Sequence, residues 1–263
     1  MAVSPRSVSA PVEAEASIGQ RLLWLLDHYR GGEGTINVPI GWRIRRPLDV
    51  AALGVALERL VERHETLRTT YRSRGRRLIQ LIHGERPPEL RVIDVSGEAA
   101  PEPFALAAMD REVRTDMDPA LTPLTVTLWR IAAEDHLLLI NLHHLATDFF
   151  SNMILTRDLG WLYDHVAGAT AEPPPPLPWS YADWSAWQGQ AFAAGRQAQL
   201  QAFWREALEG SRGVELPRAA DRPGGHGAPR NEKETLDLDP AAVEGLRETA
   251  RGLRTTMFGV MLA

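Results

Sequence analysis

The sequence predicts an α+β fold, a mixed or antiparallel sheet flanked by helices, and three observations carry that expectation. Strand-like and helix-like segments intermingle along the chain without the strict βαβ alternation of a parallel sheet. Residues 124–131 and 136–142 are apolar runs separated only by Ala132, Ala133, Glu134 and Asp135. So short a connection can join antiparallel strands but not parallel ones. Residues 67–72 and 78–82 repeat the arrangement around the polar stretch 73–77.

The elements follow in order. Residues 1–16 lack an apolar core and read as a flexible leader rich in Ser, Ala and Glu. Ser17 suits a helix N-cap, with Ile18, Leu22, Leu25 and Leu26 at helical spacing behind it. Gly31, Gly32 and Gly34 end that helix, and 36–44 reads as a strand with Pro39 at an edge. Asp49 caps a second helix whose apolar positions are Leu53, Val55, Ala56, Leu57, Leu60 and Val61. Residues 90–95 form a short strand, and 104–115 a helix after Pro101 and Pro103. A helix is expected over 149–166 and a stiff proline connection over 173–178, followed by a largely helical, tryptophan-rich stretch at 181–208. Residues 211–230 read as a long loop, 233–238 as a strand and 240–252 as a helix. The apolar run 255–263 stops in mid-pattern, as a cut chain would.

Composition narrows the function classes. The 263 residues are 44% hydrophobic and 24% charged with a net charge of −5, which offers no basic surface for nucleic acid. With no cysteine, a thiol nucleophile, a disulfide and a thiolate metal site are excluded. There is no secretory signal, and no apolar run approaches the ~20 residues of a membrane span. A cytoplasmic location without membrane attachment is expected.

The most informative stretch is Asn141-Leu142-His143-His144-Leu145-Ala146-Thr147-Asp148, between the second apolar strand and the helix at 149. Turns held rigidly on both sides commonly carry function, and histidine titrates near neutral pH. Three readings stand. One is acyl transfer, with a histidine as base and Asp148 fixing the turn or orienting a ring. Another is a hydrogen-bonded histidine pair that merely closes the turn. The third is a metal site, for which adjacent ligands are poorly placed to chelate one ion. No serine or cysteine occupies a nucleophile elbow, so acyl transfer would proceed by direct attack.

The spacing from His144 to Asp148 resembles chloramphenicol acetyltransferase and the plant-type CoA acyltransferases, and that from His143 resembles glycerolipid acyltransferases. Three further segments decide between them. Ser17-Ile18-Gly19-Gln20-Arg21-Leu22, running on through Trp24 to Leu26, resembles the opening motif of nonribosomal peptide synthetase condensation domains. Arg63-His64-Glu65-Thr66-Leu67-Arg68-Thr69-Thr70-Tyr71 resembles their second motif, and Tyr181-Ala182-Asp183-Trp184-Ser185-Ala186-Trp187 the fourth. The His143–Asp148 run stands in the place of the third, and the resemblance covers 17–263.

That resemblance implies the chloramphenicol acetyltransferase-like fold, in which two similar lobes form a V around a tunnel. Residues 17–178 would be the N-terminal lobe, and 179–263 the crossover helices and the start of an incomplete C-terminal lobe. It implies an enzyme that joins a donor acyl or peptidyl thioester to an acceptor aminoacyl thioester. Both would ride on phosphopantetheine arms delivered by partner peptidyl carrier proteins, an acyl carrier protein being possible as donor, beside neighbouring synthetase domains. No bound cofactor or metal is implied. His144 would be the catalytic histidine, His143 a structural neighbour donating to backbone, and Asp148 the ion-pair partner of Arg68. Capping the helix at 149 is the alternative role for Asp148. Where the family has glycine after the aspartate, this chain has Phe149, expected to narrow the site or turn toward the core. Trp24, Trp184 and Trp187 read as packing residues. Arg21 and the arginines of 72–77 read as a solvated basic patch or a surface for an acidic carrier. Two alternatives stand: a free-standing acyltransferase using CoA thioesters, and a lobe that docks carriers without chemistry.

Overall fold

The computed structural model describes residues 10–30, 36–75, 77–170, 172–212 and 236–263, with backbone only at 28–30. It forms two units, Met1–Pro217 and Arg218–Ala263. The first runs β1 (Val12–Glu15), α1 (Ile18–Arg30), β2 (Asn37–Ile44), α2 (Val50–Arg63), a 3₁₀ turn (Glu65–Arg68), β3 (Thr69–Arg74) and β4 (Arg77–Ile82). It continues with β5 (Leu90–Asp94), α3 (Pro101–Val113), β6 (Leu124–Ala132), β7 (Asp135–His143) and α4 (Phe149–Val166). Helices α5 (Tyr181–Ala191) and α6 (Gln197–Ala207) follow, joined by a π-helical turn (Phe192–Arg196).

The main sheet has the order β2-β7-β6-β5 and the smaller one β1-β4-β3. Pairing is antiparallel except between β5 and β6, which run parallel because α3 supplies the crossover between them. The mixed sheet is therefore the α+β arrangement that the sequence implies. Pro39 lies on β2, an edge strand, where a missing N–H costs no ladder bond.

Strand β7 explains why the region before the histidines is continuously apolar. Leu138, Ile140 and Leu142 face α2 and α4, where Leu53, Leu57, Leu60, Leu155, Leu159 and Leu162 complete the core. Leu137 and Leu139 face the other way, with Trp129, Ile131 and Ala105 of α3. Alternate side chains enter opposite cores, so neither face needs polar residues. Each fully buried leucine of this set contributes roughly 1.5–3 kcal/mol. The end of β7 is thus clamped from both sides.

Several boundaries differ from the sequence expectation. Val12–Glu15 pairs with Ile79–Ile82, so the leader gives way to structure before residue 16. Strand pairing supplies an order that a short polar segment cannot show alone. Helix α3 starts at Pro101, because proline is tolerated in a first helical turn. The 181–208 helix breaks where Gly195 takes φ 100°. The glycines 31–34, the loop residues 213–230 and positions 233–235 of the expected strand lie outside the described residues.

The second unit contains α7 (Pro240–Gly252) and α8 (Met257–Leu262). Asp239 caps α7 by accepting the Ala241 N–H at 2.7 Å, and Thr256 caps α8 by accepting that of Gly259 at 3.1 Å.

Candidate active site

Strand β7 ends at His143 and α4 begins at Phe149, so residues 144–148 make the turn. The His144 N–H donates to the Ile36 carbonyl at 3.0 Å, and the Ala146 N–H to that of His143 at 2.9 Å. The two rings face different partners, as the alternation of a strand requires. His144 Nδ1 lies 2.8 Å from the Thr147 carbonyl oxygen, an acceptor. That contact places the proton on Nδ1 and leaves Nε2 basic. His143 has the opposite tautomer. Its Nδ1 accepts the Leu145 N–H at 3.1 Å, so it receives from backbone where the sequence reading had it donating. The ring is 1% exposed, and burial pushes its pKa below the ordinary histidine value, while Asp27 pulls the other way.

The Leu145 carbonyl takes Gln20 Nε2 at 3.1 Å and the Tyr71 hydroxyl at 2.9 Å. Gln20 Nε2 also reaches the Tyr71 oxygen at 2.9 Å. Burial raises the Tyr71 pKa, which keeps the phenol a donor. Ser17 Oγ meets the Tyr181 hydroxyl at 2.9 Å, and Gln188 accepts the Ile18 N–H at 2.9 Å. Glu65 accepts the Ala182 N–H at 2.8 Å. The four sequence segments, distant along the chain, are thus hydrogen-bonded into one assembly.

Asp148 is the N-cap of α4. Its Oδ1 accepts both the N–H and the hydroxyl of Ser151 at 2.7 Å. Burial acts to raise its pKa, but the Ser151 bonds and His144 outweigh it and the net shift is downward. The expected ion pair with Arg68 is not formed. Arg68 instead donates through Nη1 to the His83 carbonyl at 2.5 Å, and its buried Nε has no partner. The helix cap supplies Asp148 with nearer donors, which leaves Arg68 as a wall of the same cavity.

That cavity, about 910 Å³, is lined by His144, Asp148, Arg68, Glu65, Tyr181 and Trp184 among others. Phe149 neither narrows it nor enters the core. It is 74% exposed and meets Phe150 edge-on, with ring centroids 5.8 Å apart. Among the described non-glycine residues Arg254 alone has a positive φ, so position 149 does not require glycine. Trp24 packs against the small core of Tyr71, Leu78 and Leu145, as expected. Trp184 and Trp187 are instead 37% and 53% exposed. In the arginine hairpin, Arg72 and Arg74 pair with Glu13, and Arg77 with Glu15 at 2.9 Å.

A second polar centre beside the cavity escaped the sequence reading. Asp158, fully buried on α4, accepts Arg63 Nε at 2.8 Å, His64 Nε2 at 2.9 Å and Arg157 Nη2 at 2.7 Å. Burial raises the Asp158 pKa, yet the three donors more than offset it and lower it overall. Burial lowers that of His64. Arg63 Nη1 also donates to the Pro175 carbonyl at 2.6 Å, tying the proline segment to α2. The legible signal was an aspartate among Leu155, Leu159 and Leu162 on the buried stripe of a helix.

Comparison with known proteins agrees with this geometry. Residues 13–263 match the condensation-domain family. The chain is 35% identical over 272 residues to the nonribosomal peptide synthetase kk1B of Curvularia clavata, covering all of this chain and 2% of that protein. Its fold is similar to the X-domain solved in complex with OxyB from teicoplanin biosynthesis, at TM-score 0.75 and 26% identity, over 97% of this chain and 56% of that one. It is also similar to the first condensation domain of the calcium-dependent antibiotic synthetase, at TM-score 0.74 and 21% identity, over 95% of this chain and 59% of that one. Among the described residues no helix is long and apolar enough to cross a membrane. With its four segments assembled around a histidine-lined cavity and its sequence matched almost throughout, the chain belongs to the condensation-domain family of nonribosomal peptide synthetases.

Proposed function

We propose that His144 serves amide formation between a donor acyl or peptidyl thioester and an acceptor aminoacyl thioester. The observation that supports it is the His144–Thr147 contact, which leaves Nε2 as the basic nitrogen of a ring lining the cavity. The acceptor amine nitrogen attacks the thioester carbonyl carbon, a C–N bond forms and the C–S bond breaks. The proton lost by the amine passes through Nε2 to the departing sulfur, which leaves as a thiol. An α-amine has a pKa of about 8, so much of it is already neutral near that pH. Holding it in line contributes as well as removing its proton.

The substrates would arrive on the phosphopantetheine arms of donor and acceptor peptidyl carrier proteins, or of an acyl carrier protein as donor. Neighbouring synthetase domains would supply them, and no resident cofactor takes part. The chain spans little more than half of the solved relatives, 56% and 59%, so we expect the 263 residues alone to form little amide.

A docking role without chemistry is the second reading, supported by the likeness to a domain solved in complex with another protein. The test incubates an extended protein, continued through the rest of a condensation domain, with loaded carriers or with acyl-CoA. Mass transfer onto the acceptor carrier from a carrier-bound donor supports condensation. Transfer from CoA alone supports a free-standing acyltransferase. Carrier binding without transfer supports docking.

A further inference from the structure

Helix α1 sets Gln20, Trp24 and Asp27 on one side, since positions four and seven residues apart return to the same face. Gln20 holds the Leu145 carbonyl at 3.1 Å. Two turns further on, Asp27 Oδ2 lies 3.7 Å from His143 Nε2. His143 is 1% exposed, and its Nε2 has no hydrogen-bond partner.

The distance is too long for a hydrogen bond but short enough for the partly exposed carboxylate to act on the buried ring through its charge. Because Nδ1 accepts the Leu145 N–H, the neutral ring carries its proton on Nε2, facing the carboxylate. The other tautomer would set Nδ1–H against the Leu145 N–H, leaving two buried donors unpaired and a lone pair facing a negative charge. Both polar groups of Leu145 would thus be tied to one face of α1: the carbonyl through Gln20, which shares it with Tyr71, and the amide through His143.

We infer that Asp27 is a positioning residue for the His143–Asp148 turn: its carboxylate holds His143 as the Nε2–H tautomer, which lets Nδ1 secure the Leu145 amide. The inference deepens the catalytic reading of His144 and rests on it, since the turn presents that ring. Burial keeps His143 neutral against the pull of Asp27, so the carboxylate orients a neutral ring without charging it. Asp118 also acts on His143 through its charge, and with Asp27 it lines a cavity of about 400 Å³. Asp118 is exposed and occupied with the Ala120 N–H at 2.8 Å, which makes it the natural control.

Long-range proton–nitrogen NMR of histidine-labelled chain reads the tautomer, and amide exchange reads the Leu145 N–H. Neither needs turnover. The wild type is expected to show Nε2–H at His143. Asp27→Asn, whose amide oxygen still presents partial negative charge to the Nε2–H, keeps that tautomer, and so does Asp118→Asn. Asp27→Leu mixes the tautomers and speeds Leu145 exchange about tenfold, the scale of one hydrogen bond, with the amides of α2 unchanged. Asp27→Ala gives the same readout without added bulk if the leucine variant does not fold. An Nδ1–H tautomer in the wild type overturns the inference, as does wild-type behaviour in Asp27→Leu or Asp27→Ala. Expected NMR together with amide formation that is indifferent to His144→Ala would sink the catalytic reading and leave the Asp27 contact standing.

Discussion

His144 Nδ1 lies 2.8 Å from the carbonyl oxygen of Thr147, three residues ahead in the same turn. The contact fixes ring orientation and tautomer with a backbone acceptor. The aspartate that the sequence offers for that duty, Asp148, is occupied in starting α4.

Beneath this turn, the Tyr71 hydroxyl is the shared atom of the Gln20–Leu145 network. Tyr71→Phe removes a buried donor and acceptor while keeping the ring. A loss of about 1–3 kcal/mol in urea unfolding is expected, since the Leu145 carbonyl retains only Gln20. An unchanged midpoint would show that the network contributes nothing to stability.

Breaking the buried charge centre should cost more. Asp158→Ala leaves Arg63 and His64, both mostly buried, without their acceptor. Removing one partner of such a centre costs about 3–5 kcal/mol. Urea unfolding measures it. Arg157→Ala, on a mostly exposed arginine, should cost less than about 1 kcal/mol.

Acidification should weaken the fold before any carboxylate titrates. Burial depresses the pKa values of His64 and His143 from the ordinary 6.5. Below pH 6.5 the unfolded chain binds protons that these folded histidines refuse, so stability falls with pH until their folded values are reached. Asp148 and Asp158, whose pKa values are lowered, add a second loss below about pH 4. Unfolding at pH 7.5 and 5.5 checks the first window, to which the depressed His83 and His136 also contribute, and His143→Gln should reduce it in part. Equal stability at the two pH values would contradict the assignment.

At position 149 the side chain should matter little. Phe149 is exposed and has no positive φ, so Phe149→Gly should shift stability by about 1 kcal/mol or less. Amide formation by an extended protein should stay within about twofold. A large gain in rate would show that the ring obstructs a substrate.

What was legible in the sequence followed from local rules. The apolar run of β7, the Ser17 and Asp49 caps, and α4 over 149–166 all appear where periodicity and capping chemistry place them. The four motif segments marked the assembly correctly because each carries a residue that bonds another segment. The rest depended on placement across the chain. The four residues of β1 become a strand only against β4, and β5 runs parallel only because α3 crosses over. The Nδ1 contacts of His143 with Leu145 and of His144 with Thr147 depend on backbone geometry that no residue pattern displays. The Arg68–Asp148 pairing failed because a nearby serine satisfied Asp148 first.

The most direct measurement compares an extended protein with its His144→Ala form by intact-protein mass spectrometry of a loaded donor and acceptor carrier pair. The expected result is a donor-sized mass gain on the acceptor carrier, falling by about 10²- to 10⁴-fold in rate without the imidazole. Equal rates in the two proteins would contradict the role assigned to His144.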